Sequence, residues 1–199
     1  MTDTSNRTLR NFRIVLWALV VVVAIGATAL YLLRPPARPL AITGTPFALT
    51  ATTGETFTQE DLRGTPSLVF FGFTHCPDVC PTTLAETTMW KEALDLTAQD
   101  LRVIFVTVDP ERDDIETVRG YLSGWDPSII GLVGDTEQTE ATKAAFGVFS
   151  EKAGEGEYYT VNHTASVFLV GADGAFEGTI AYEEPTESAL GKIRGLVQG

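Results

Sequence analysis

Cys76 and Cys80 are the only cysteines in a chain of 199 residues, and both lie in the stretch FFGFTHCPDVCPTTL beside His75. Three residues separate them, one more than in the Cys-x-x-Cys of dithiol redox proteins. Such a pair suits a disulfide switch, a structural bridge or two arms of a metal site. A bridge here would close a very small loop and restrain the unfolded chain little, which makes the structural reading the weakest. If the loop winds as a helical turn, residues four apart share a face and both sulfurs point at one spot. Helix N–H groups at that place favour the thiolate, the form that attacks disulfides and binds metal ions. Two thiolates suit Cu(I), Zn(II) or an iron–sulfur cluster. A cluster wants four protein ligands, usually cysteines, which this chain lacks. A closed zinc site also wants four, a number that two cysteines and both histidines would supply.

The two histidines differ in placement. His75 adjoins Cys76, so if the sulfur faces the site the neighbouring ring points elsewhere and orients the loop. His163 stands in the polar stretch VNHTAS just before an apolar run, and can reach the edge of a sheet where the cysteine loop also lies. Two thiolates and one imidazole form a three-ligand set with an open side, suited to Cu(I) and, with a weak fourth ligand, to Cu(II). The alternative for His163 is a local hydrogen bond that caps the strand. Asp109, in TVDPERDD, is either a turn residue before Pro110 or a carboxylate tuning the surroundings of a metal. Tyr158, Tyr159 and Asn162 either flank the site or serve a partner surface and strand packing.

The elements that must position these groups alternate between strands and helices. Gly54 marks a turn between two short strands. Residues 67–73 (SLVFFGF) read as a strand buried on both faces. Ala85, Met89, Ala93 and Leu96 recur at helical spacing, which predicts a helix over about 81–97 with Pro81 in its first turn. A second buried strand covers 101–109. Asp113 with Glu116 resembles a capping box opening a helix to about Ser123. IIGLVGD is a third strand, and Asp135 caps a helix to about Phe146. GADGAF turns between strands 167–170 and 176–180, and Thr186 caps a last helix bearing Ala189, Leu190, Ile193 and Leu196. This order predicts an α/β sandwich with a mixed central sheet. The cysteines fall where the first long strand passes into its helix, at the carboxyl end of the sheet, where functional sites of such folds gather.

Residues 14–33 carry no charge and match the roughly 20 residues a helix needs to cross a bilayer. Arg13 and Arg34 flank them, with Trp17 and Tyr31 near the two interfaces. Ala27-Thr28-Ala29 has the look of a signal cleavage site, but the apolar run continues past it, which favours an uncleaved anchor. Arg7, Arg10 and Arg13 before the span, against Arg34 and Arg38 after it, place the N-terminus in the cytoplasm and the remainder outside, in the periplasm of a Gram-negative cell. The expected organisation is a cytoplasmic N-terminus (1–13), a transmembrane anchor (14–33), a proline-containing linker (34–46) that is stiff and extended through RPPARP, and a globular domain (47–199). The net charge of −12 is uneven: +3 over the first 34 residues and −15 over the rest. An acidic body argues against nucleic acid as a partner.

FFGFTHCPDVCP, VTVDPERD and YTVNHTASVFLV together resemble the Sco/SenC family of membrane-anchored copper proteins, over the domain from about Phe47 to the end. The resemblance implies a thioredoxin-like fold, copper as Cu(I) or Cu(II), and Cys76, Cys80 and His163 as its ligands. It implies a role in maturing the CuA centre of cytochrome c oxidase subunit II, by copper delivery, by thiol reduction through a Cys76–Cys80 disulfide, or both. An upstream periplasmic copper donor or thiol reductant would be a further partner. Asp109 matches the family's acidic residue near the site. Two departures stand out. Asn162 replaces an aspartate often found before the ligand histidine. The HTAS segment lacks the proline that thioredoxin-type reductases place opposite their cysteines, which favours a metal carrier over an enzyme. The competing readings are a thiol–disulfide oxidoreductase, which would need both cysteines but not His163, and a peroxidase-like redox sensor.

Overall fold

A computed structural model describes residues 3–32, 46–156 and 158–199. The chain divides into two units at residue 38. The first contains one long helix, α1 (Asp3–Leu32), whose stretch Asn11–Ala29 is long and apolar enough to cross a membrane. It begins well before the uncharged run, because the polar segment ahead of Ile14 continues the helix. Apart from Pro46, the linker expected over 34–46 lies outside the described residues, as does Leu33.

The second unit is built on seven strands: β1 (Ala48–Ala51), β2 (Thr56–Thr58), β3 (Ser67–Gly72), β4 (Arg102–Thr107), β5 (Ile130–Val133), β8 (Val167–Val170) and β9 (Phe176–Ile180). Their order is β2-β1-β5-β4-β3-β8-β9. β3, β4 and β5 run parallel, while β1 and β8 flank them antiparallel, which gives the mixed sheet expected. Every residue of β3 is buried, as its apolar run requires of a central strand covered on both faces. Phe70, Phe71, Phe73 and Phe105 are among the largest fully buried side chains, so the core lies directly beneath the cysteine loop.

Among the described residues of this unit are four α-helices, α2 (Val79–Ala93), α3 (Ile115–Leu122), α4 (Thr136–Phe146) and α5 (Thr186–Gln198). α4 has the expected Asp135 cap, reciprocated by Gln138, and ends at Gly147 in a left-handed conformation.

Three expectations need correction. α2 begins two residues early and ends four early, where Asp95 adopts a positive φ of 53° and Leu96 N–H returns to the Lys91 carbonyl. Its buried face is not the Ala85–Met89–Ala93 stripe. It carries Cys80, Thr83, Leu84, Thr87, Trp90 and Lys91, whereas Met89 is 54% exposed. The Thr87 hydroxyl can be buried because it donates back to the Leu84 carbonyl, and Lys91 because its ammonium meets Asp126 at 2.8 Å. Asp113 does not cap α3. Asp114 does, accepting from Thr117 N–H, while Asp113 is drawn inward to the cysteine loop. Thr186 is the first residue of α5, not its cap, and the residue before it is Pro185.

A second, separate sheet of two strands pairs β6 (Ser150–Ala153) with β7 (Thr160–His163). Its register sets Ser150 opposite His163 and Ala153 opposite Thr160. This ribbon was not foreseen. Its sequence is polar and glycine-containing, with no alternating apolar signature.

Candidate metal centre

The cysteine loop leaves β3 at Gly72, and α2 opens inside it, so that Cys80 is the second residue of the helix. Cys80 N–H points at Cys76 Sγ across 3.4 Å, the contact that four-residue spacing at a helix start produces. Cys80 is buried and Cys76 half-buried, and both are free thiols. Gly72 is what lets Cys80 sit so deep. A Cβ at that position would lie 2.8 Å from Cys80 Sγ and 2.9 Å from the Phe105 ring. A glycine inside an otherwise bulky strand is the sequence signal for such a close approach.

The loop is fastened by Asp113, which is fully buried. Its carboxylate accepts from Thr74 N–H at 3.0 Å, from the Thr74 hydroxyl at 2.6 Å and from the Thr107 hydroxyl at 2.6 Å. Thr107 Oγ1 in turn accepts from Asp109 N–H at 3.1 Å. The loop is thus tied to the end of β4 by hydrogen bonds to a buried charge, the stronger kind.

His163 arrives from the other sheet. Its Nδ1 lies 3.0 Å from the Thr164 carbonyl. A carbonyl can only accept, so Nδ1 donates to it and Nε2 is turned towards the sulfurs. That Nε2 is 3.7 Å from Cys80 Sγ. The imidazole stands edge-on to Phe70 and Phe73, at centroid distances of 6.0 and 5.8 Å. The ligand atoms of Cys76, Cys80 and His163 all lie within 4.8 Å of one another. No other grouping of three or more histidine, cysteine or acidic residues with this spacing occurs among the described residues. Two sulfurs and a ring nitrogen match a soft or borderline ion.

His75 points away from this cluster. Its side chain is 54% exposed, and its Nδ1 sits 3.0 Å from the Thr74 hydroxyl and 3.9 Å from Asp113 Oδ1. Asp109 also stays outside the trio. Its carboxylate accepts from the Tyr159 hydroxyl and from Arg112 Nε, each at 2.6 Å. Tyr158 is exposed and Asn162 faces solvent, whereas Tyr159 is buried.

Electrostatics separate the two thiols. The hydrogen bond from Cys80, aided by His163, pulls Cys76 down to about 4 against the opposing effect of burial. Cys80 is pushed strongly upward by donating to Cys76 and by burial. These shifts favour the thiolate on the more exposed Cys76 and the thiol on Cys80. A cavity of about 840 Å³ opens at the opposite end of the sheet, between Pro66, Gly171 and the end of α5, and contains none of these groups.

A family model described as SCO1/SenC matches residues 35–198. The SCO1 homolog, mitochondrial, of Homo sapiens is 39% identical over 137 residues, which is 67% of this chain and 46% of that protein. The chain thus spans less than half the length of that relative. The SCO2-like protein of Rickettsia felis is 34% identical over 174 residues, covering 79% of this chain and 85% of its own. Among solved structures, Bradyrhizobium japonicum ScoI with copper bound superposes with a TM-score of 0.69 at 38% identity, covering 76% of this chain and 97% of that one. The α/β sandwich with a mixed sheet read from the alternation of elements, and the thioredoxin-like fold implied by the resemblance, are shared with that structure.

Proposed function

The chain belongs to the SCO1/SenC family, and on that footing we propose that it is a membrane-anchored copper carrier that binds Cu(I) or Cu(II) through Cys76, Cys80 and His163. The observation that carries the reading is the convergence, within 4.8 Å, of three ligand atoms forming one soft donor set, two from the loop and helix start after β3 and one from the separate ribbon. The carrier hands copper to a CuA-type site in subunit II of cytochrome c oxidase. It works by binding and transfer and not by turnover. α1 holds it in the inner membrane with the domain on the periplasmic side, in keeping with the arginines that precede the span.

Burial sets an order for transfer. Cys80 lies beneath the surface and Cys76 at its lip, so an incoming thiolate of the partner meets Cys76 first and the metal leaves by stepwise exchange of sulfur ligands. His163, anchored through Nδ1 to the Thr164 carbonyl, keeps Nε2 directed at the place the ion would occupy.

The test is anaerobic copper titration of the full reduced chain in detergent, read by absorption and electron paramagnetic resonance. One copper per chain and a thiolate-to-Cu(II) charge-transfer band are expected, and His163→Ala should strongly weaken both while leaving the circular dichroism unchanged. Unaltered copper binding by that variant would remove the three-ligand site.

One observation favours a second reading. A half-exposed Cys76 held as thiolate is poised to attack a partner's disulfide. In that exchange Cys76 forms a mixed disulfide, Cys80 resolves it, the partner gains two thiols and the chain is left with a Cys76–Cys80 disulfide. Reduction of an oxidised partner peptide that survives His163→Ala and disappears in Cys80→Ser would support it.

A further inference from the structure

His163 rides on a ribbon that makes no strand pairing with the main sheet. Something else must hold it in register with the cysteine loop. On its C-terminal side the chain enters β8 four residues later, at Val167, and is fixed there. On the other side the ribbon runs four residues back to Tyr159, about 13 Å away along an extended strand.

Tyr159 is where the ribbon meets the body. Its hydroxyl donates to Asp109 Oδ1 at 2.6 Å, and its carbonyl accepts from Arg112 Nη1 at 3.0 Å. Arg112 Nε in turn donates to Asp109 Oδ2 at 2.6 Å. The Arg112 guanidinium carbon lies 3.6 Å from the centre of the Tyr159 ring, and Lys152 Nζ, from the partner strand β6, lies 3.8 Å from it. Lys152 then reaches Glu111 at 2.6 Å. Asp109, Arg112 and Tyr159 are thus closed into one ring of contacts, with Asp109 and Tyr159 buried. Asp109 stands two residues after Thr107, whose hydroxyl links it to Asp113 and so to the cysteine loop.

We infer that Tyr159, clasped by Asp109 and Arg112, is a positioning residue that pins the free end of the ribbon and thereby sets His163 against the two sulfurs. The inference rests on the copper reading above and adds to it the device that assembles the third ligand. With Val167 and Tyr159 both fixed, the seven residues between them hold the imidazole over Phe70 and Phe73. With Tyr159 released, the ribbon swings on its β8 end and the histidine leaves, while both cysteines keep their places.

The experiment uses the full chain in detergent and compares wild type, Tyr159→Ala, Tyr159→Phe, His163→Ala and the Tyr159→Ala/His163→Ala double variant. In the metal-free protein, amide exchange at 160–163 should quicken about ten-fold in Tyr159→Ala, the loss of one charge-assisted hydrogen bond, with β3 and β4 unchanged. Cu(II) affinity should fall about ten-fold with weakening of the charge-transfer band. Tyr159→Phe keeps the ring between the two cations and loses only the hydroxyl, so it should shift both readouts in the same direction by less. The double variant should bind copper no worse than His163→Ala alone, because the clasp acts through that histidine.

If His163→Ala weakens copper binding but Tyr159→Ala and Tyr159→Phe do not, the clasp is wrong and the ligand set stands. The same holds if the double variant is additive. If His163→Ala itself changes nothing, the ligand set falls and the inference with it. Should Tyr159→Ala fail to fold, Tyr159→Phe decides: unchanged exchange at 160–163 would overturn the clasp.

Discussion

The two halves of the metal centre are built differently. The cysteine half grows out of a strand buried at every residue, at the start of a helix, with Asp113 fastening Thr74 and Thr107 around it. The histidine half is carried on a two-stranded ribbon outside the main sheet, rich in solvent-facing residues and clasped at one end. One half is placed by the core, the other by a few polar contacts together with the buried Tyr159 and Val161. The copper carrier proposed above would gain from this: two ligands wait in fixed geometry, while the third is held by a smaller number of contacts.

The sharpest way to break the contrast is to unfasten the cysteine half. Asp113→Ala leaves the Thr74 N–H, the Thr74 hydroxyl and the Thr107 hydroxyl without their acceptor in or near the core. The expected loss is about 3 kcal/mol of stability, a fall of roughly 10 °C in Tm for a domain of this size. Thermal unfolding followed by circular dichroism measures it, and a Tm within about 2 °C of wild type would show that Asp113 does not fasten the loop. Asp113→Asn, which keeps one acceptor oxygen, should fall between.

A smaller loss is expected at Gly72. An alanine methyl there enters the space of Cys80 Sγ and the Phe105 ring. Overpacking of this kind costs about 1–3 kcal/mol. Because the sulfur is one of the atoms displaced, Gly72→Ala should also lower copper affinity without touching a ligand. Urea unfolding and copper titration of the same preparation check both. Near-native stability together with native affinity would mean that the strand yields easily, and that the cysteine half is no stiffer than the ribbon.

The same contrast governs what the sequence disclosed. The central strands, the GADGAF turn and the Asp135 cap were legible because burial on two faces, turn chemistry and capping leave marks in a few neighbouring residues. Cys76, Cys80 and His163 were identifiable by residue type and by family likeness. The ribbon was not, because its order comes from Asp109, Arg112 and Tyr159 meeting across about 50 residues of chain, which no local pattern records. Asp113 was misread for a related reason. Adjacent aspartates at 113 and 114 both resemble caps, and only the location of Thr74 and Thr107 decides which turns inward. The buried face of α2 was misjudged because threonine and lysine count as polar until their partners are known.

The finest test concerns how the two halves share control of Cys76. Its thiol is lowered to about 4, first by the hydrogen bond from Cys80 and, after burial has opposed it, by His163. A lowered pKa means that the thiolate is present at every pH above about 4, so alkylation of Cys76 by iodoacetamide in the metal-free chain should be nearly flat from pH 6 to 8 and fall only as pH drops towards 4. An unperturbed thiol would instead react faster with each step of pH up to about 8.5. The associated stability has the matching sign. It is complete above the unfolded thiol's pKa, declines as the solution is acidified and is gone below about 4. Removing the cysteine half's contribution with Cys80→Ala should move the reactivity inflection upward by more than removing the ribbon's with His163→Ala, since the Cys80 hydrogen bond is the larger cause. The inflection is read from alkylation rates resolved by mass spectrometry. If His163→Ala moved it further than Cys80→Ala, the ribbon and not the helix start would set the charge of the exposed sulfur. The division between a fixed cysteine half and a movable histidine half would then no longer describe how the centre is controlled.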